Sequence, residues 1–188
     1  KGYIPTLEYL INNNYKIIRM GKGFKSKFPF DHKNFIDYAL SEYRSDFLDI
    51  WLSAHCNFFL STGTGIGVIP LLFDTPLIHA DHFPCLRALS WIPKSMHIPR
   101  MVENKEGKLL NIKEQIMQGL HWSISQVDFD RIEVKPIDNK PEDTLKSIIV
   151  MENKIKNGFN ISKLNMNYWH KTKMEWDKFT EMNKKNKK

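Results

Sequence analysis

The sequence predicts an α/β protein: a Rossmann-like parallel sheet with helices on both faces, ending in long C-terminal helices. Two observations carry that expectation. Helix, buried strand, Gly-rich turn, helix and strand follow one another within residues 45–80, the order that βαβ units produce. The 188-residue chain is also 41% hydrophobic and 26% charged, an ordinary composition for a globular domain with a sizeable core. The crossovers are expected to be right-handed.

The elements can be taken in order. Thr6 to Asn13 reads as a short amphipathic helix, with Leu7, Leu10 and Ile11 at helical spacing and three asparagines at its end. Tyr15 to Met20 is rich in β-formers and stops at Gly21. Lys22 to Asn34 reads as loop, and Phe35 to Leu40 as a short helical or extended piece. Ser45 is a good N-cap for a helix to His55, with Asp46 favouring its positive end. The expected buried face of that helix is Phe47, Ile50, Trp51 and Ala54, widened by Leu48 and Leu52. Asn57 to Ser61 follows as a buried strand, then the Gly-rich turn, a helix through Leu71 to Phe73, and the strand Leu77 to Ala80.

Beyond Asp81, Met96 to Met101 reads as a strand, Glu103 to Lys108 as a hairpin-like loop and Ile112 to Gly119 as a helix. Pro141 opens another helix, which Gly158 ends. Ser162 is expected to cap a last long helix whose face carries Trp169, Thr172, Trp176 and Phe179. We divide the chain at residue 160: residues 1–160 form the Rossmann-like part and 161–188 the C-terminal helix with its tail. Because the sequence begins Lys1-Gly2-Tyr3 without Met, it reads as a fragment, with part of the working protein expected upstream of residue 1.

Charge and cysteine content exclude some classes. The net charge is +7, and residues 171–188 hold seven lysines against three acids. Such a tail suits peripheral contact with an anionic membrane surface, or simply a solvated helix end. Nothing elsewhere interleaves basic and aromatic residues as single-strand nucleic-acid binders do, so no nucleic-acid partner is expected. Cys56 and Cys85 are too few for a disulfide framework. Both lie beside apolar residues, where inert buried thiols and a reducing cytoplasm fit.

The run Ser61-Thr62-Gly63-Thr64-Gly65-Ile66-Gly67 carries the chemistry. It joins strand to helix at the carboxyl edge of a parallel sheet, where ligands bind. Glycines let the backbone approach a ligand, and amides at a helix start suit phosphate. The G-x-G-x-x-G pattern is not matched and the Lys-Ser/Thr ending of a P-loop is absent, so neither a dinucleotide oxidoreductase nor a P-loop NTPase is indicated. Pro70 moves the expected helix start toward Gly67, with the phosphate donors among the amides of Thr62 to Gly67.

Residues 15–84 resemble a family of bacterial glycosyltransferases encoded among surface-polysaccharide genes. The segments that carry the likeness are Ile18-Arg19-Met20-Gly21, Ile36-Asp37-Tyr38-Ala39, Arg44-Ser45-Asp46-Phe47-Leu48-Asp49-Ile50 and Ser61-Thr62-Gly63-Thr64-Gly65. Ile69-Pro70, Phe73, Pro76 and Pro84 complete it. Farther on, Ser90-Trp91 and the Pro141-Glu142-Asp143 helix are also similar. The resemblance implies the C-terminal, donor-binding half of a GT-B glycosyltransferase, with the acceptor half upstream. It implies a nucleotide-diphosphate sugar as substrate, a surface glycan as acceptor, and no cofactor or metal. Where the family tends to have Asn near the end of the last strand, this chain has Asp81-His82.

On that reading the donor-binding candidates are Arg19, Lys22, Arg44, Asp46, Ser61, Thr62, Gly63, Thr64, Gly65, Gly67, Asp81 and His82. Arg19 and Lys22 would neutralise the leaving diphosphate. Asp46 would accept from ribose hydroxyls or serve its own helix, and Arg44 would reach the ligand or form an Arg-x-Asp pair. Asp81 or His82 would touch the sugar. A metal reading of His79, Asp81 and His82 is set aside, because histidines three apart on a strand-to-loop junction are not expected to share a face. His55 beside Cys56 suggests a nucleophile pair, yet a core position at the helix end is the commoner use. Trp91, Trp122, Trp169 and Trp176 could stack on sugars, the last two more naturally packing as core. No catalytic base is identifiable. Two rivals stay open: a nucleotide-sugar epimerase of the same architecture, and a non-catalytic module docking through its C-terminal helix.

Overall fold

The structure is a computed structural model that describes residues 2–83, 92–120, 125–159 and 163–185. It is mixed α/β, with seven α-helices among those residues and two parallel sheets.

Helix α1 spans Ile4–Asn12, starting two residues before the expected Thr6, because Pro5 fits the first turn, where no amide partner is lost. It buries Thr6, Leu7 and Leu10, and two residues past its end Asn14, with φ of 64°, reverses the chain. β1 (Ile17–Ile18) pairs in parallel with β2 (Phe35–Ile36). A 3-10 turn at Tyr38–Leu40 follows, so the Phe35 to Leu40 segment is extended and then helical. α2 spans Asp46–His55, capped by Ser45 Oγ, which accepts from the Leu48 amide at 3.2 Å.

β3 (Phe59–Ser61), β4 (Leu77–His82) and β5 (Ser95–Pro99) form one parallel sheet in that order. Between β3 and β4 the chain makes a 3-10 turn at Gly65–Val68 and then α3 (Ile69–Leu72), with Pro70 in the first turn of the helix. The register places Ser61, His79 and His97 in one row across the three strands. One face of this sheet is covered by α1 and by α6 (Pro141–Asn157). Leu10, Ile78, Ile148 and Met151 form the buried centre, and Ile17, Phe58, Leu60 and Met96 pack round it.

The region beyond β5 departs from the expected plan. The single strand expected over Met96 to Met101 is two, since β6 (Met101–Asn104) follows β5 directly. β6 turns through Gly107 and pairs antiparallel with β7 (Val134–Ile137), a strand absent from the sequence reading. Pro136 argues against a strand in a sheet interior, but among the described residues β7 pairs with β6 alone, as an edge strand does. α4 (Ile112–Met117) starts with a capping box between Asn111 and Glu114. α5 (Gln126–Ile132), also unread in the sequence, is capped by Ser125. Val102, Leu110, Leu120, Phe129 and Val134 make a second, smaller core there. α7 (Lys163–Lys185) is the expected long C-terminal helix and lies against α4. Its cap at Ser162, Pro84, Cys85, Ser90-Trp91 and Trp122, and the last three residues of the basic tail, fall outside the described residues, as do the side chains of Trp169 and Thr172.

Two expectations for α2 fail. Phe47, Ile50 and Trp51 are exposed, and the helix buries Asp49 and Ser53 instead. Arg44 draws Asp49 inward through a 2.7 Å ion pair, and Ser53 Oγ donates to the Asp49 carbonyl at 2.7 Å. These bonds tie the polar side to the protein, and the apolar side is left facing outward. His55 is likewise exposed; it stacks on Trp51 with ring centroids 4.5 Å apart, and Nδ1 lies 2.8 Å from the Trp51 carbonyl.

A reciprocal clasp joins the two cores. The Asp81 amide donates to Asn139 Oδ1 and the Asn139 amide donates to Asp81 Oδ1, each at 2.5 Å. Asn139 Nδ2 donates to the Pro99 carbonyl, and Tyr3 donates its hydroxyl hydrogen to Asp81 Oδ2 at 2.9 Å. Burial, and then that bond to Asp81, hold the Tyr3 phenol well above its usual range. Asn139→Ala is expected to cost about 1 kcal/mol in urea unfolding; an unchanged midpoint would show that the clasp adds nothing.

Candidate functional site

A cavity of about 1030 Å³ opens between β1 and β3. Ile17 and Ile18 form one wall, Phe59, Leu60 and Ser61 the other, and no strand ladder bridges them. The cavity thus occupies the break between the two parallel sheets, reaching the carboxyl ends of β1 and β3. That is where open α/β sheets bind ligands.

Eight of the sequence candidates line it: Arg19, Lys22, Arg44, Asp46, Ser61, Thr62, Thr64 and Gly65. They come from three separated segments, so the fold performs the gathering. Lys22 and Asp46 are exposed on the rim. Arg19 is partly committed: Nη1 donates to Asp37 Oδ2 at 2.9 Å, to Oδ1 at 3.1 Å and to the Ser26 carbonyl at 3.3 Å. Its guanidinium also lies 3.8 Å over the Phe24 ring. Arg44 pairs with Asp49, not with Asp46 as the Arg-x-Asp spacing suggested. In that pair Arg44 Nε and Asp49 Oδ1 are buried without a hydrogen-bond partner in the cavity wall. Such orphan polar atoms are costly unless a ligand or water meets them.

The Gly-rich turn uses its glycines for three different reasons. Gly63 adopts φ +77°, which bends the chain out of β3. Gly65 stands in open space. Gly67 is buried, and a Cβ there would lie 2.9 Å from Ser61 Cβ and 3.3 Å from His79 Cε1. Gly67 is therefore a packing residue beneath the turn, not a wall of the cavity. The donor set also narrows. The Gly63 amide donates to Ser61 Oγ and the Gly67 amide to the Thr64 carbonyl. Gly65 and Ile66 open the 3-10 turn, where amides have no partner within the helix, and both line the cavity.

Asp81 and His82 stand elsewhere. Asp81 lines a depression of about 130 Å³ with Thr62, Gly63, Phe83, Arg100 and Phe129. His82 is buried in a cluster with His79 and His97, with ring centroids 4.8 to 5.3 Å apart. The expectation that His79 and His82 cannot share a face is corrected. Asp81 takes φ +50°, and the register shifts between His79 and His82, so the added residue turns His82 back to the His79 side. Burial, and then the neighbouring His82, push the His79 imidazole down to about 4. His97 is depressed further by burial, then His82, then His79. His97 escaped the sequence reading because only the register puts it beside His79; no local spacing announces it. Among the described residues no group of three or more His, Cys, Asp or Glu side chains is arranged to hold a metal ion.

Cys56 is half-buried, and burial raises its thiol to about 11, which leaves it protonated and a poor nucleophile beside His55. Trp176 stacks on Phe179 along α7, with ring centroids 5.8 Å apart. No helix among the described residues is long and apolar enough to cross a membrane. No family model, curated protein or solved structure matches the chain.

Proposed function

We propose that the cavity between β1 and β3 binds a nucleotide-diphosphate sugar and that the protein supplies the donor site of a glycosyltransferase. The observation that carries the reading is the convergence of Arg19, Lys22, Arg44 and Asp46 with the exposed Thr62 to Gly65 turn on one cavity. Its volume, about 1030 Å³, lies at the upper end for small-molecule sites. On this reading the strand order β2-β1 followed by β3-β4-β5 is a Rossmann-like doubly wound sheet opened between β1 and β3. The segment resemblance between residues 15 and 84 supports the GT-B form of that fold and a surface glycan as acceptor.

Transfer breaks the bond between the sugar's anomeric carbon and the diphosphate oxygen as an acceptor hydroxyl attacks. Negative charge grows on the departing diphosphate. Cations and amides already aimed at it lower the barrier because they need not reorganise during the step. Here Lys22, the Gly65 and Ile66 amides and the Thr62 and Thr64 hydroxyls fill that role. Arg19 contributes a guanidinium whose charge is shared with Asp37. Arg44 and Asp46, at the start of α2, face the ribose and base.

Calorimetric titration with UDP, GDP, ADP and their hexose conjugates tests the reading. Binding of at least one diphosphate is expected, and silence across the panel defeats it. Arg19→Ala is expected to weaken the bound diphosphate about tenfold and the matching nucleoside less than twofold, the loss of one charge-assisted contact. Equal losses would remove Arg19 from the phosphate.

A further inference from the structure

We infer that the small depression beside Thr62 and Gly63 receives the sugar of the donor, and that Arg100 is a specificity-determining residue for a neutral, hydroxyl-bearing ring. This rests on the proposed donor site. Thr62 lines both the large cavity and the depression. A ligand with its nucleotide in the first therefore crosses the Gly-rich turn to place its other end in the second.

The lining sets the chemistry. Arg100 follows β5, and its amide donates to the His82 carbonyl at 2.8 Å, which fixes it at the carboxyl ends of β4 and β5. Its Nη2 pairs at 2.6 Å with Asp138, a side chain 72% exposed, while Nε is buried without a hydrogen-bond partner. Asp81 lines the same depression; its oxygens each accept one bond, from Asn139 and from Tyr3, and keep further lone pairs. A guanidinium donor and a carboxylate acceptor in one lining suit hydroxyl groups, which both donate and accept. Asp138, paired with Arg100, and Asp81 in the same lining put two carboxylates against one guanidinium, so a further phosphoryl or carboxylate group is disfavoured there. Phe83 and Phe129, edge to face at 5.3 Å, supply apolar surface for a ring's C–H groups. The depression has about one eighth of the volume of the main cavity, 130 Å³ against 1030 Å³, which suits the smaller end of the ligand.

The test compares a nucleoside diphosphate with its neutral hexose and hexuronic acid conjugates, using the panel member that binds best. The neutral conjugate is expected to bind more tightly than the bare diphosphate, and the uronic acid conjugate no better than it. Arg100→Ala should weaken the neutral conjugate about tenfold and the bare diphosphate less than twofold. Asp138→Ala, which removes the ion pair but leaves the depression, should retain the preference for the neutral conjugate. Equal losses for conjugate and diphosphate in Arg100→Ala would make Arg100 a phosphate ligand and overturn the inference. So would an unchanged conjugate affinity, or a stronger hold on the uronic acid. If bare diphosphate binds while the sugar adds nothing, this inference falls and the donor-site reading stands; if nothing binds, both fall.

Discussion

Gly67→Ala is expected to destabilise the protein by about 1–3 kcal/mol, the usual range for forcing extra volume into a packed site. The new methyl group would meet Ser61 Cβ at 2.9 Å and His79 Cε1 at 3.3 Å. Ser61 Cβ is fixed to the end of β3, so no side-chain rotation relieves the clash. Either the strand or the turn must shift. At roughly 2–4 °C per kcal/mol for a chain of this size, thermal unfolding reads the change easily. Ser61→Gly in the same chain removes the obstructing atoms and should restore part of the loss. A Gly67→Ala protein that melts with the native one would show that the turn does not rest on Ser61. Because the shift would displace the Thr62 to Gly65 segment, nucleotide affinity should fall with stability, and the same second substitution should recover it.

Acid should weaken the fold before ordinary carboxylates titrate. The unfolded chain takes up protons on His79 as pH falls through about 6.5, whereas the native His79 resists until about 4. The unfolded state therefore binds more protons across this window, and stability falls as pH falls through it. Above pH 7 both states are neutral at this residue and the effect vanishes. Lowering pH from 6.5 to 5 crosses about 1.5 units, on the order of 2 kcal/mol for His79 alone at 1.36 kcal/mol per unit. His97, depressed further, adds in the same direction. Urea unfolding at pH 7, 6 and 5 should show midpoints descending with pH, and His79→Gln should make the descent shallower. Equal midpoints from pH 7 to 5 would contradict His79 and His97 held neutral by burial.

Legibility in the sequence tracked how local each cause was. α1, α2, α6, α7 and the order of β3, the Gly-rich turn and β4 were readable because caps, prolines and short apolar runs act within a few residues. The long-range β6–β7 pairing was not: Pro136 masks a strand whose partner among the described residues lies some thirty residues earlier. α5 had a signal that went unread, since Ser125 followed by Asp128 is a cap. The inside-out α2 could not be read from periodicity, because the Arg44–Asp49 pair and Ser53 decide which side is buried. For the site, the Gly-rich turn and Arg19, Lys22, Arg44 and Asp46 were legible and do meet. The roles inside the turn were not, because Gly67 is explained only by an atom on the preceding strand. His97 and Arg100 depend on register and on the bulge at Asp81, and register is a property of strand pairs.

The break between β1 and β3 also has a mechanical meaning. Within each parallel sheet, adjacent strands are fastened by directional backbone bonds that resist sliding. Across the break the β1–β2 pair is held by apolar side chains such as Ile17 and Phe58, whose attraction changes little with a small slip. A compliant line therefore runs through the cavity, and its walls can part or close without rupturing a ladder bond between β1 and β3.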